Sequence, residues 1–532
     1  MTTQTSPPRA VRGSSHARSW TGAGFLVKLL LMALVNALGV AAALAAWAAE
    51  SWVILGVAVV LTAAADVVYF SRRALPLKYL YPGLTFLLVF QVFIFGYTGY
   101  VAFTNYGTGH AGSLAQAVDA ALIQDEQRVE GSASHPLAIV DRDGELGFAI
   151  VDETGAVQAG TAEDPLAPVA GADVADSGAP ASVPGYAVIP RAEVLSDVDL
   201  QERVVALRVP VSDDAEDGSI RTRDGATGSV YASSLEWDPA DRTLTDTASG
   251  IVYEATDEGV FRSSAGDELA TGWTTGVGVD NFVRAVTDAE LRAPLAQVTL
   301  WTFAFAILTV ATSFGLGLLF ALIFNDPRVR GRAVLRTLFI LPYAFPAFMS
   351  ALLWRGMLNA EFGIINDLFF FGADINWLGD PWLAKLAILW VNLWLSYPYW
   401  FLVCMGALQA LPQDTLEAAT IDGAGRFRRF RSVVFPQLLV STAPLAIASF
   451  AFNFNNFTII FMLTEGGPRF VGSSTGLGST DILISAIYRI SGIQGGSADY
   501  GLASALSIVV FVVIGVISAI AFRQTRRLEE YS

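Results

Sequence analysis

Long apolar runs alternate with short polar segments along most of this chain. Eight runs of roughly 20 or more mostly apolar residues are each long enough to cross a bilayer as a helix. They lie at about 24–49, 51–70, 79–103, 296–324, 337–357, 382–410, 437–463 and 502–522. The pattern predicts an all-α polytopic membrane protein with eight transmembrane helices.

Composition agrees with this prediction. Apolar residues make up 53% of the 532 residues and charged residues only 15%, whereas soluble proteins carry about 25% charged residues. The first apolar run is about 26 residues long, which exceeds the apolar core of a secretory signal peptide, about 7–15 residues. We therefore interpret it as a membrane helix.

One long polar segment, residues 104–293, separates the third and fourth runs. It holds 34 Asp and Glu against 11 Arg, so it accounts for the acidic balance of the chain, net −16. Within 137–157 an Asp-Gly pair separates two apolar runs, which is typical of a β-hairpin, and 203–211 has a strand pattern. Residues 158–186 are rich in Ala, Gly, Asp and Pro and are predicted to be a loop or partly disordered. We expect an inserted soluble α/β or β-rich domain.

Basic residues concentrate in alternate loops, and such residues favour the cytoplasmic side. Both termini are therefore predicted to be cytoplasmic, the chain to be multi-pass in the cell membrane, and 104–293 to be extracytoplasmic. The basic residues on the predicted cytoplasmic side are Arg9, Arg12, Arg18, Arg72, Arg73, Lys78, Arg328, Arg330, Arg332, Arg336, Arg426, Arg428, Arg429, Arg431, Arg523, Arg526 and Arg527.

The predicted organisation has five parts. They are a cytoplasmic tail (1–23), helices one to three (24–103), the extracytoplasmic domain (104–293), helices four to eight (294–522) with a cytoplasmic loop at 411–436, and a cytoplasmic tail (523–532).

Several kinds of chemistry are absent from the sequence. The chain has three lysines and none precedes Ser or Thr, so it contains no P-loop for ATP. Its single cysteine, Cys404, and three scattered histidines give no metal-binding spacing. The ionisable residues within the apolar runs lie near helix ends, which weakens the case for an ion-driven carrier and leaves that alternative open.

The loop between the sixth and seventh runs has an unusual pattern. It reads "LPQDTLEAATIDGAGRFRRFRSVVFPQLL" over 411–439, which predicts a short helix from Pro412 and a turn at Gly423. A basic amphipathic helix is then expected from Arg426 to Phe435, with Pro436 marking re-entry into the membrane. An ordinary interfacial helix is the simpler interpretation of this stretch.

Two apolar runs also carry polar stripes at helical spacing. The sixth has Asn392, Ser396 and Tyr399, and the seventh has Ser449, Asn453 and Asn456. If the stripes face each other, they form a cavity of hydroxyl and amide groups with aromatic neighbours, which suits a neutral sugar. Alternatively, these side chains only join neighbouring helices by hydrogen bonds. Asn455 lies off the stripe and is predicted to be a packing residue.

The spacing from "EAA" at 417–419 through "DGA" at 422–424 to Pro436 resembles the coupling loop of permease subunits of ABC importers. "VNLWLSYPYWFLVCMGALQALP", "IASFAFNFNNF", "TGWTTGVGVDNFVRAV" and "TEGGP" together resemble the larger, MalF-type permease subunit of maltose/maltodextrin importers. The resemblance is strongest over about 270–525 and weak over 104–270.

This resemblance implies a sugar-binding site and an ATPase-coupling surface. The implied sugar contacts are Asn392, Leu395, Ser396, Tyr399, Ser449, Phe452, Asn453 and Asn456, and the implied coupling residues are Glu417, Ala418, Ala419, Asp422, Gly423 and Ala424. Ser396 departs from the glycine expected in the family, which puts the preferred sugar or chain length in doubt.

The resemblance also implies partners. They are a second permease subunit of the MalG type, two ATPase subunits of the MalK type and an extracytoplasmic sugar-binding protein. ATP and Mg would bind the ATPase subunits, with no cofactor and no enzymatic site on this chain. Membrane lipid is the remaining expected contact, and no nucleic acid is expected. The alternative from another class is a membrane receptor that senses a ligand through 104–293.

Overall fold

The computed structural model describes residues 23–71, 75–129, 131–214, 217–326, 328–473, 475–492 and 496–530, with the side chains of Gln413 and residues 525–530 left aside. Arg9, Arg12, Arg18, Arg72 and Arg73, which contributed to the predicted orientation, lie outside these ranges, as does most of the predicted tail at 1–23. The chain divides into two compact units between Thr98 and Gly99.

Helices account for most of the described residues. They are α1 (Ala23–Ala48), α2 (Trp52–Phe70), α3 (Leu75–Leu87), α4 (Phe93–Ala102), α5 (Leu114–Asp125), α6 (Arg191–Ser196), α7 (Val198–Ala206), α8 (Asp280–Thr287), α9 (Ala289–Asn325), α10 (Arg332–Ile340), α11 (Ala347–Met357), α12 (Ile364–Phe369), α13 (Pro381–Ala410), α14 (Gln413–Ile421), α15 (Arg426–Arg429), α16 (Phe435–Phe454), α17 (Phe457–Thr464), α18 (Leu483–Ile490) and α19 (Tyr500–Glu530). Turns of π-helix at Leu88–Val92 and Phe430–Val434 join α3 to α4 and α15 to α16.

Strands occur in the segment between α4 and α8. They are β1 (Gln127–Arg128), β2 (His135–Arg142), β3 (Glu145–Val151), β4 (Val157–Thr161), β5 (Ala167–Pro168), β6 (Asp173–Val174), β7 (Pro180–Ser182), β8 (Ala187–Ile189), β9 (Val209–Pro210), β10 (Ser219–Thr222), β11 (Thr227–Ala232), β12 (Leu235–Asp238), β13 (Thr243–Asp246), β14 (Val252–Ala255), β15 (Val260–Ser263) and β16 (Glu268–Gly272).

The membrane spans agree with the predicted class of fold. Within the described ranges, seven helical segments are long and apolar enough to cross a bilayer, and a bent pair of helices brings the count to eight. That pair is the fifth span, in which α10 and its following 3₁₀ turn meet α11 at an angle of 92°. Pro342 and Pro346 flank the bend, and proline cannot donate the backbone hydrogen bond that a straight helix requires.

The seventh span is not the continuous helix predicted over 437–463. Helix runs from Arg426 to Phe454, breaks at Asn455 and Asn456, and begins again at Phe457. Asparagine offers the backbone local hydrogen-bonding alternatives, which favour a helix end over a helix interior. The basic helix predicted from Arg426 to Phe435 is present, and it continues without a break into the span.

The inserted domain is β-rich. One sheet has the order β5-β4-β3-β2-β11-β10-β9, with β1 and β8 paired beside this path, and a second is a meander of β12 to β16. The predicted hairpin is β2–β3, antiparallel from Leu137 opposite Ile150 to Arg142 opposite Glu145. Its two turn residues, Asp143 and Gly144, have φ of 57° and 94°, as expected for a tight hairpin turn.

Two local predictions within this domain are only partly correct. The strand predicted at 203–211 forms only as β9 (Val209–Pro210), because residues 203–206 belong to the end of helix α7. That helix begins where the side chain of Asp197 accepts hydrogen bonds from the backbone of Asp199 and Leu200. An N-terminal cap of this kind favours helix over the apolar strand pattern. Residues 158–186, predicted to be a loop or partly disordered, contain the short strands β5, β6 and β7 and most of β4, joined by turns and loops.

The membrane core of the second unit centres on the contact between α9 and α13. Phe305, Ile388 and Trp400 are fully buried there. A Cβ atom added at Gly317 of α9 would lie 2.6 Å from the backbone nitrogen of Phe401. Glycine at this position therefore lets the two helices approach closely, as small residues do at membrane helix interfaces.

Candidate binding cavity and the loop between the sixth and seventh spans

A cavity of about 600 Å³ opens between the bent fifth span, α13 and the seventh span. All eight residues implied as sugar contacts line it. The remaining lining residues are Pro342, Tyr343, Phe345, Ala347, Trp400, Ala448, Thr458 and Ile459. The structure thus brings together residues that lie 64 positions apart at the extremes, Asn392 and Asn456, and their role as ligand contacts remains a prediction.

A network of amide groups forms the buried side of the cavity. Asn392 Nδ2 on α13 donates to Asn453 Oδ1 on α16 at 2.9 Å and contacts Thr309 Oγ1 on α9 at 3.2 Å. Asn453 Nδ2 donates to the carbonyl oxygen of Ser449 at 2.8 Å, and Asn456 Nδ2 reaches Asn392 Oδ1 at 3.4 Å. Asn392 and Asn453 are each 2% exposed. These asparagines therefore do form hydrogen bonds between helices, which was the alternative interpretation of the polar stripes.

Hydroxyl and aromatic groups form the open side of the cavity. Ser396 and Tyr399 are half-buried, and among the described residues their hydroxyl groups have no protein hydrogen-bond partner. Phe452 is 70% exposed and presents its ring to the same space. These groups are free to contact a ligand without disturbing the amide network.

Sequence reasoning missed several lining residues. Tyr343 and Phe345 reach the cavity because the fifth span bends between its two prolines, and Thr458 lies just beyond the break after Asn456. Thr309 does not line the cavity but accepts a hydrogen bond from Asn392. It lies seven positions after Thr302 on α9, and both are buried; this helical spacing of hydroxyl residues is visible in the sequence.

Asn455 lies where the helical phase predicted, away from the cavity. It is absent from the cavity lining and is exposed at the C-terminal end of α16. The prediction that it packs against a neighbouring helix is therefore wrong. The helix ends before Asn456, so Asn456 reaches the cavity through the break and not through a continuous helical stripe.

The cavity is uncharged, with amide and hydroxyl groups set among apolar and aromatic side chains. None of the described residues that line it is charged, so an ionic ligand finds no opposite charge here. Amide and hydroxyl groups offer both donors and acceptors, while the rings of Phe452, Tyr399 and Tyr343 offer flat apolar surfaces. A volume of about 600 Å³ falls in the usual range for small-molecule sites.

The loop between the sixth and seventh spans forms a helix and a turn. Helix α14 ends at Ile421, and Gly423 adopts a left-handed conformation with φ of 76°. The backbone nitrogen of Ala424 donates to the carbonyl of Ala419 at 3.0 Å, and Arg429 Nη1 donates to Thr420 Oγ1 at 2.5 Å. The helix and turn predicted from Pro412 to Gly423 are therefore present.

The surface of this loop is open. Glu417, Ala418, Asp422 and Gly423 are exposed, and Ala419 and Ala424 are half-buried. Two large apolar side chains that the sequence reasoning omitted stand beside them, Ile421 at 86% and Phe427 at 76% exposed. An exposed apolar pair beside small residues is a surface on which another protein can pack.

A membrane-spanning helical core around an uncharged cavity, with an open helix and turn outside it, is the arrangement of a transport permease. The family described as the binding-protein-dependent transport system inner membrane component matches residues 313–530. The N-terminal region of TM subunits in PBP-dependent ABC transporters matches residues 85–163.

Named relatives of this chain are also transport permeases. The maltose/maltodextrin transport system permease protein MalF of Vibrio vulnificus (strain YJ016) is 35% identical over 478 residues, which cover 88% of each chain. The protein of the same name from Escherichia coli (strain K12) is 40% identical over 295 residues, covering 54% of this chain and 57% of that protein. The chain belongs to the MalF family of binding-protein-dependent ABC transporter permeases.

A solved bacterial ABC transporter involved in the import of the acidic polysaccharide alginate is 24% identical and covers 47% of this chain and 84% of that one, with a TM-score of 0.41.

Membership of this family establishes the general role of the chain. It is a multi-span inner-membrane permease subunit of an ABC importer, it is not itself an enzyme, and ATP hydrolysis belongs to separate subunits. A partner permease, an ATPase and an extracytoplasmic binding protein complete such a system. The receptor and the ion-driven carrier, which the sequence had left open, are not favoured.

Proposed function

We propose that this chain forms half of the translocation pathway of an importer for maltose or maltodextrin-like sugars, and that the sugar passes through the cavity between the fifth, sixth and seventh spans. The observation that carries the proposal is the uncharged lining. The eight residues that the family resemblance implied as sugar contacts all line this one cavity. The substrate printed in the names of the relatives supports the same class of sugar.

The lining residues divide into two roles in this proposal. Asn392 and Asn453 are joined by a hydrogen bond between α13 and α16. They therefore fix the relative position of these helices and offer their remaining hydrogen-bonding capacity to the sugar. Ser396, Tyr399, Ser449 and Asn456 supply polar contacts to sugar hydroxyl groups. Phe452, with Leu395 beside it, packs against the C–H faces of the sugar ring.

Ser396 bears on substrate choice. It lies one helical turn from both Asn392 and Tyr399 on α13, where its hydroxymethyl group occupies part of the cavity. Relative to glycine it adds a hydrogen-bonding group and removes space. We therefore propose that Ser396 restricts the length or the orientation of the sugar chain that the cavity accepts.

The loop around α14 is proposed to couple the chain to its energy source. Glu417, Ala418, Ala419, Asp422, Gly423 and Ala424 form the docking face, extended by the exposed side chains of Ile421 and Phe427. The partners proposed for the complex are a MalG-type permease, two MalK-type ATPase subunits that bind ATP and Mg, and a sugar-binding protein. Both termini and α14 then lie on the cytoplasmic side, with residues 104–293 on the opposite side.

The sugar proposal is tested by removing one hydroxyl group. In the assembled complex, Tyr399→Phe should raise the α-glucoside concentration needed for half-maximal stimulation of ATPase activity by roughly 2–12-fold, the equivalent of one neutral hydrogen bond of about 0.5–1.5 kcal/mol. The matched control is Tyr397→Phe, since Tyr397 is 8% exposed, packs against Phe320 and does not line the cavity. Equal effects of the two changes, or no response to any α-glucoside, would refute the proposal.

The coupling proposal is tested by two glycine substitutions in one turn. Gly423→Ala places a side chain on a residue with φ of 76°, which L-residues other than glycine adopt at a steric cost. Gly425→Ala, at φ of −62°, is the control. We expect sugar uptake to fall strongly only in the first variant, while binding of the sugar-binding protein is unchanged. Normal uptake by Gly423→Ala and by Glu417→Ala would contradict the assigned role.

A further inference from the structure

The connection between α11 and α13, residues 358–380, carries an apolar surface outside the membrane spans. Phe362 is 84% exposed, Leu368 66%, Phe369 64% and Phe371 97%. Single exposed apolar side chains are common, but these four within ten positions, with Ile364 and Phe370 also exposed, form a surface that indicates an interaction. None of them contributes to the cavity or to the loop around α14.

A buried asparagine gives this connection a defined shape. Asn366 is 3% exposed, and its Nδ2 donates to the carbonyl oxygens of Ala360 at 3.1 Å and Ile375 at 3.0 Å. Its Oδ1 accepts a hydrogen bond from Trp377 Nε1 at 2.8 Å. The two arms of the connection are thereby joined, and Trp377 is drawn inward beside Phe370, with ring centroids 5.3 Å apart. The apolar surface is therefore presented by an ordered element.

The position of the connection indicates what the surface meets. Helix α11 ends at Met357 and α13 begins at Pro381, and both belong to membrane spans. Both ends of the connection are thus held at one face of the bilayer, at the level where Trp and aromatic side chains favour the boundary between headgroups and acyl chains.

The charges of the connection fit the same location. Its acidic residues are Glu361, Asp367, Asp374 and Asp380, and it contains no Lys or Arg. Phenylalanine side chains require an apolar medium and carboxylates require water, and the bilayer interface offers both within about 5–10 Å. Without basic residues, attraction to anionic lipids contributes nothing, so burial of apolar surface is the driving force.

We propose that residues 358–380 form an interfacial anchor, in which Phe362, Leu368, Phe369 and Phe371 enter the adjacent leaflet of the bilayer. The anchor would hold the ends of α11 and α13 at a fixed depth, and these two helices border the cavity. The proposal depends on the membrane spans and not on the identity of the transported sugar.

Spin labelling of the assembled transporter in neutral phosphatidylcholine nanodiscs tests this proposal. The native Cys404 is fully buried, so the unsubstituted chain measures background labelling. Single labels are placed through Leu368→Cys and Phe371→Cys, with Asp374→Cys, an exposed position in the same connection, as the control. Collision rates with oxygen, which concentrates in lipid, and with a water-soluble nickel chelate report the depth of each label.

The expected result is that the preference for oxygen or for the nickel chelate reverses between labels in one short segment. Labels at 368 and 371 should collide more often with oxygen than with the nickel chelate, and the label at 374 should do the opposite, with no dependence on added anionic lipid. Equal nickel access at 371 and 374 would overturn the proposal. Protection at 368 and 371 from both reagents, or protection that appears only when the sugar-binding protein is added, would assign the surface to a protein partner and would also overturn it.

Discussion

Polar groups of the membrane cavity and those in exposed turns of the inserted β-rich domain find their hydrogen-bond partners in opposite ways. In the cavity, Asn392 and Asn453 are 61 positions apart in sequence and hydrogen-bond each other in the buried core. In the domain, Asp152 and Asp224 accept hydrogen bonds from backbone groups two to four positions away, in exposed turns. The first arrangement requires the tertiary fold, and the second requires only a turn.

This difference follows from the surrounding medium. In hydrocarbon a polar side chain has no water to bond to, so another part of the protein must supply its partner. In an aqueous domain, a carboxylate at a turn is already solvated. Hydrogen bonds from local N–H groups only add to its stabilisation by water. Polar residues in the spans therefore indicate how the helices pack and what they bind, whereas Asp152 and Asp224 indicate where local turns form.

The largest effect is expected from Asn453→Ala. The substitution removes the acceptor for Asn392 in a buried site, and an unsatisfied buried group costs roughly 1–3 kcal/mol. We expect the assembled complex to unfold at a lower temperature and to lose most of its sugar-stimulated ATPase activity. Thermal unfolding monitored by intrinsic fluorescence, together with the ATPase assay, measures both.

The same sequence stretch provides the control for this change. Asn455 has the same side chain two positions later, but it is exposed and lies outside the cavity lining. Asn455→Ala should leave both measurements close to those of the unsubstituted complex. If the two alanine variants behave alike, the contrast between buried and exposed polar groups fails for this span.

A smaller and more selective effect is expected from Ser396→Gly. Ser396 contributes a hydroxyl without a protein partner among the described residues, so its removal should leave stability nearly unchanged while enlarging the cavity. We expect the relative response to maltose and to longer α-glucans to shift toward the longer chains. The check is a series of ATPase titrations with α-glucans of increasing length, and an unchanged order of preference would show that position 396 does not set chain length.

The smallest effect is expected from Asp224→Asn in the inserted domain. Hydrogen bonds from the backbone N–H groups of Ala226 and Thr227 lower the pKa of Asp224 from 3.8 to about 2. The carboxylate therefore stabilises the folded domain above pH 4, and this contribution is lost as the pH falls toward 2. Because the group is exposed, solvent screening keeps the contribution below about 1 kcal/mol.

Acid unfolding of the full chain, followed by circular dichroism in the β-sheet region, measures this contribution. The variant should be slightly less stable than the unsubstituted chain at pH 6, and the difference should shrink as the pH approaches 2. A difference that grows on acidification would have the wrong sign for a lowered pKa and would contradict the assignment.

Much of the architecture was predictable because membrane spans depend on long one-dimensional patterns. Run length, the β2–β3 hairpin with its Asp-Gly turn, and the helix and turn around Gly423 all follow from neighbouring residues. Predictions failed where a local signal competed with the pattern. The helix that Asp197 caps extends into the first residues of a predicted strand, and the seventh span breaks at Asn455.

The sequence by itself determined which residues could line a polar path, because helical spacing places Asn392, Ser396 and Tyr399 on one side of a span whatever surrounds it. Only the tertiary structure decided how those residues are used. Asn392 and Asn453 form a hydrogen bond, Tyr343 reaches the cavity where the fifth span bends at Pro342, and Asn456 reaches it where the helix breaks. All three depend on how separate spans pack. Hydrogen bonds between distant side chains form only when packing brings the helices together, and no periodicity along one chain segment specifies that distance.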